Sequence, residues 1–158
     1  MRETAAIRID ARRRYIRPLK LSIAASVLGE SVIFVVWGVL LYPGGELLHK
    51  LLWTVLFCGV GMGAALGALL VLFVVDRLEG AAAVLVTAGL SAGVLGVACN
   101  LLCLQLDRHF HYFGGADNAP LFLVNGVLMA SLGGAVVGWL CFTPRGRRVG
   151  ARGAEETA

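Results

Sequence analysis

Four apolar runs dominate the chain: Leu21 to Tyr42, Leu51 to Val75, Gly80 to Leu104 and Ala119 to Phe142. Each is about 20 residues or longer, enough to cross a hydrocarbon core of about 30 Å at 1.5 Å per helical residue. Lipid offers no water to backbone N–H and C=O groups, so a segment of that length must satisfy its own groups as a helix or close into a barrel. The expected fold is all-α: a polytopic, four-transmembrane-helix bundle. Composition agrees, with 58% hydrophobic and 15% charged residues, against about 25% charged in a typical soluble domain.

The connections are short. Pro43-Gly44-Gly45 breaks the first helix, and Glu46 to Lys50 leads into the second. Asp76 to Glu79 is a tight polar turn, and Gln105 to Asn118 is the one long loop. Asp117 or Asn118 is placed to cap the fourth helix, with Pro120 in its first turn. Residues 1–20 form a basic arm, residues 21–142 the membrane domain, and residues 143–158 a basic tail expected to be disordered. Arg12-Arg13-Arg14-Tyr15-Ile16-Arg17 resembles a twin-arginine export signal. The apolar run after it contains a glutamate and lacks a small-x-small cleavage site, which favours a membrane anchor.

Charge sets the expected orientation. Of fourteen lysines and arginines, all but Lys50 and Arg108 fall on the side shared by both termini and the Asp76–Glu79 turn. The positive-inside rule makes that side cytoplasmic, in a plasma or inner membrane. The same rule accounts for the net charge of +4 without a nucleic-acid partner. The four cysteines lie inside apolar runs and form no CxxC pair, so they are not a secreted disulfide framework.

Small residues recur at helical spacing. Gly59, Gly63 and Gly67 stack on one face of the second span, a glycine-zipper pattern; Gly126, Ala130, Gly134 and Gly138 stack in the fourth; Gly89, Gly93, Gly96, Asn100 and Cys103 form a seam in the third. An offset of 67 aligns Gly59, Val60, Met62, Gly67 and Ala68 with Gly126, Val127, Met129, Gly134 and Ala135. It also aligns Ala25, Val27, Leu28 and Gly29 with Ala92, Val94, Leu95 and Gly96. This suggests a duplicated helical hairpin, against the alternative of chance matches in a sequence rich in Ala, Gly, Leu and Val. Three small-residue faces exceed what four helices need internally. One is therefore expected to dock another copy or other membrane subunits, making the protein an accessory or assembly subunit in contact with lipid.

Three groups could carry chemistry. Glu30 lies about 13–14 Å into the first span, near the midplane. An acid there costs a few kcal/mol and must face the bundle interior; Ser26, Ser22 and Asn100 are its candidate partners. It reads as a proton- or cation-binding site of a small transporter or channel, or as a polar pin fixing helix register. Small multidrug transporters also carry a glutamate in the first of four helices, but no other motif of theirs is present. Asp107, His109 and His111 alternate, so an extended strand would put them on one side; with His49 they could bind outer-face zinc or copper. The competing reading is an interfacial loop. Cys58, Cys99 and Cys103, with Met62 or Met129, could form a soft Cu(I) site or a thiol relay, or serve as small apolar filler. No cofactor motif and no nucleophile–base set is present, so no enzyme activity is expected.

Overall fold

A computed structural model describes residues 2–111 and 119–155, with side chains placed for 14–111 and 120–149. No strand occurs among the described residues. Helix α1 spans Arg2–Ile33 and continues as a π-helical stretch, Phe34–Leu41. Helices α2 (Leu47–Phe73), α3 (Gly80–Phe110), α4 (Ala119–Phe142) and α5 (Pro144–Glu155) follow. Four of the helices are long and apolar enough to cross a membrane. Leu28, Leu40, Leu85 and Leu132 point outward and are more than half exposed, as a lipid-facing surface requires.

Two boundaries differ from expectation. The C-terminal tail is helical from Pro144 rather than disordered. Thr143 is the reason: Gly146 N–H donates to its Oγ1 at 3.1 Å, an N-cap bond, and Pro144 occupies the first helical position. The pair that closes α4 also opens α5. At the other end of the bundle, α3 runs on through Phe110, so Asp107 to His109 lie on a helix rather than a strand. The remainder of the long loop, residues 112–118, lies outside the described residues, as does the Asp117/Asn118 cap.

Helix α1 packs on α2 and on α4, and α3 packs on α4, with a thinner α2–α3 contact. Close backbone approach at small residues carries the packing, the device used where the surroundings supply no hydrophobic drive between helices. A Cβ on Gly59 would lie 3.1 Å from Val27 Cα; on Gly63, 3.0 Å from Ile23 Cα; on Gly67, 2.7 Å from Leu19 Cα. Each four-residue step along α2 thus matches a four-residue step back along α1. In the second hairpin, Gly134 and Gly138 admit Ala88 and Val84, and Gly96 admits Val127. The zipper face of α2 is filled within the bundle; that of α4 is filled at Gly126, Gly134 and Gly138, while Ala130 lines a cavity.

The α3 seam is not continuous. Gly96, Asn100 and Cys103 are buried, whereas Gly89 and Gly93 are exposed and a Cβ there would meet nothing within 4 Å. The cause is a π-helical stretch, Ala92–Cys99. Wider turns hold more than 3.6 residues each, so the buried face jumps five positions from Ser91 to Gly96 instead of four. Helix α2 carries a similar stretch, Leu52–Met62.

Both ends are tied by long basic side chains. At the basic end, Arg14 donates to Val75 O at 3.0 Å and pairs with Asp76 at 3.5 Å, and Tyr15 Oη donates to Asp76 at 2.9 Å. Arg147 donates to Cys141 O at 2.9 Å. At the opposite end, fully buried Lys50 donates from Nζ to Gly38 O at 3.0 Å and Tyr42 O at 2.6 Å. These are carbonyls that the end of α1 leaves without helical partners.

Candidate functional site: a polar floor and three thiols

A cavity of about 440 Å³ opens sideways between α1 and α4. Exposed Leu28, Val32, Leu132 and Val136 flank its mouth, and Ser22, Ser26, Glu30, Ser91 and Asn100 contribute its polar groups. The polar residues sit there because Ser22, Ser26 and Glu30 lie four apart, one helical face of α1.

The satisfaction of these groups is uneven. Asn100 donates from Nδ2 to Gly96 O at 2.7 Å and Leu95 O at 3.2 Å, within its own helix, and its amide fills the space beside Gly126. Its amide hydrogens are therefore spent within α3 and not on Glu30. Asn125 is exposed. Ser22 and Ser26 are 1% and 4% exposed, and their hydroxyls have no hydrogen-bond partner. None of the three expected residues caps Glu30, whose recorded contact is a weak one: Cys99 Sγ at 4.0 Å from Oε1.

Glu30 separates the cavity from a second group. Cys58, Cys99 and Cys103 are buried with their sulfurs all within 4.8 Å of one another, and Cys58 Sγ lies 3.4 Å from Cys103 Sγ. Phe122 completes this cluster, and Trp37, Trp53 and Met62 pack against it. Trp53 Nε1–H is buried without an acceptor. Met129, the other thioether expected near the thiols, lines the cavity instead.

The Asp107, His109, His111 and His49 set does not assemble. On a helix, two residues are rotated by about 200°, so Asp107 turns inward, 2% exposed, while His109 turns outward. His111 is exposed and ends α3 in the left-handed conformation at φ 51°. His49 meets the Phe110 ring edge-on at 5.4 Å between centroids. Asp107 instead lies close enough for its charge to act on Lys50. Among the described residues, the three thiols are the one group of three or more metal-ligating side chains so gathered. Comparison with protein-family models, curated proteins and solved structures returned no match.

Proposed function

We propose that this is a membrane-embedded binding protein for a small lipophilic cation, exchanging that cation against a proton at Glu30. The basic end, with both termini, faces the cytoplasm of a plasma or inner membrane. The observation that carries the reading is the side cavity whose floor holds Glu30 and the unpartnered Ser22 and Ser26 hydroxyls. Buried polar groups are ordinarily hydrogen-bonded, and those left free in a cavity are available to a ligand. The cavity volume of about 440 Å³ suits a small molecule. Its apolar mouth faces lipid, so the ligand enters from the bilayer with an apolar body. A carboxylate near the midplane is stable when protonated or paired with a cation, which makes the two states alternatives.

Binding of tetraphenylphosphonium to the purified protein in nanodiscs tests this. A cation needs the ionised carboxylate, so affinity rises with pH, and Glu30→Gln lowers it at least tenfold while leaving the fold intact. Equal affinity in the two proteins at every pH would sink the proposal.

Exposed Gly89 and Gly93, with open space above both, favour a second reading. There the chain is an accessory subunit whose α3 face docks a copy of itself or another membrane subunit. The shared offset of 67 and the matched antiparallel packing of both hairpins support their origin by duplication.

A further inference from the structure

Cys58, Cys99 and Cys103 come from two helices and converge where no aqueous disulfide chemistry is at hand. Cys58 and Cys99 belong to the π-helical stretches of α2 and α3, and Cys103 follows one turn later. Such stretches concentrate at functional sites because they re-aim side chains that an unbroken α-helix would point elsewhere. We propose that these three sulfurs form a trigonal site for a soft monovalent ion, Cu(I), independent of the cation reading of Glu30.

Three observations on the site point to that ligand. The sulfurs are already spaced for it: a three-coordinate ion with metal–sulfur bonds of about 2.3 Å holds its ligands about 4 Å apart, and here all three lie within 4.8 Å of one another. Among the described residues no hard donor completes a fourth vertex, because Glu30 contacts Cys99 but is not among the mutually close ligand atoms. A three-sulfur set without carboxylate or imidazole selects Cu(I) over zinc, which takes four ligands in closed sites. The surroundings are also incomplete without an electron-rich sulfur. Trp53 packs on the cluster with its N–H buried, without a hydrogen bond of good geometry yet close enough to Cys103 to act on its sulfur; a coordinated thiolate would accept from it. Met62 adds a soft thioether beside the same cluster.

Charge balance suits the location. Cu(I) replacing one thiol proton leaves a neutral assembly of one thiolate and two thiols, the state that hydrocarbon tolerates. The displaced proton leaves to buffer.

The test uses the full chain, purified in detergent under a reductant and titrated with Cu(I) against a chromogenic Cu(I) chelator. The expected result is one ion retained per chain, with X-ray absorption giving a sulfur-only shell at about 2.3 Å. Cys58→Ser and Cys103→Ser each lower retention at least tenfold. Cys141→Ser, which alters the buried thiol at the basic end, retains copper like the parent. If either cluster variant fails to fold, Cu(I) protection of the parent's cysteines from alkylation, read by mass spectrometry, decides: Cys58, Cys99 and Cys103 must be protected together. Failure of the parent to retain copper, equal retention after Cys103→Ser, or a Cys58–Cys103 disulfide in protein taken directly from membranes would each overturn the proposal.

Discussion

Along α1/α2, Gly59, Gly63 and Gly67 admit Val27, Ile23 and Leu19; along α3/α4, Gly134 and Gly138 admit Ala88 and Val84. The two hairpins close by the same device and differ in their polar groups. In α3/α4, Thr87 Oγ1 donates to Ala83 O at 2.7 Å and Asn100 caps two carbonyls. In α1/α2, Ser22 and Ser26 are equally buried and make no bond. Among the described residues no buried side-chain N–H or O–H donor of α3/α4 lacks a partner, and Thr54 of α2 is bonded like Thr87; it is α1 that holds unspent polar capacity beside a cavity. Packing alone does not explain the second arrangement, which is why the candidate site lies on the α1 side.

The comparison breaks most readily at the glycines. Gly67→Ala places a Cβ 2.7 Å from Leu19 Cα, and Gly134→Ala places one 2.5 Å from Ser91 Cβ and 3.0 Å from Ala88 Cα. Backbone cannot yield as a flexible side chain does, so each is expected to cost about 1–3 kcal/mol by overpacking. Reversible unfolding in mixed micelles, followed by circular dichroism, measures this. If only one of the pair is destabilising, the hairpins do not share a packing device.

A smaller effect separates the polar groups. Asn100→Ala leaves Leu95 and Gly96 carbonyls without their side-chain donor and opens space at Gly126, an expected loss of about 1–2 kcal/mol. Ser26→Ala removes a hydroxyl that has no partner, so stability is unchanged or rises by up to about 1 kcal/mol. The same unfolding assay compares them. Equal losses would mean that Ser26 is satisfied in solution and that the asymmetry between the hairpins is false.

The four spans are legible in the sequence because length and hydropathy act before any packing detail. Glu30, Ser26 and Asn100 line one cavity, but the hydrogen bonds to Glu30 that the sequence suggests for them are not made. What escapes is register. The π-helical stretches add a residue to the turn, and that shift brings Cys58 to Cys99 and Cys103 while carrying Gly89 and Gly93 out of their seam. Nothing in 3.6-residue periodicity announces it. Thr143-Pro144 fails differently: the same residues signal the end of one helix and the start of the next, and only the Gly146 N–H bond to Thr143 distinguishes a stop from a join.

The smallest expected effect on the fold itself lies where the α3 seam has turned outward. A Cβ at Gly93 would meet nothing within 4 Å, and replacing a helical glycine by a better helix former gains up to about 1 kcal/mol. Gly93→Leu is therefore expected to leave the monomer as stable as the parent or slightly more so. If the second reading of the function holds, the same substitution blocks close backbone approach by a neighbour and shifts the protein toward monomer in native mass spectra from mild detergent. Ala130→Leu is the paired control, because position 130 lines the cavity rather than the outer α3 face. Loss of assembly at Gly93 with an unchanged monomer would give α3 a role that neither hairpin has. An unchanged oligomer distribution would leave the exposed glycines as lipid-facing surface and end the docking reading.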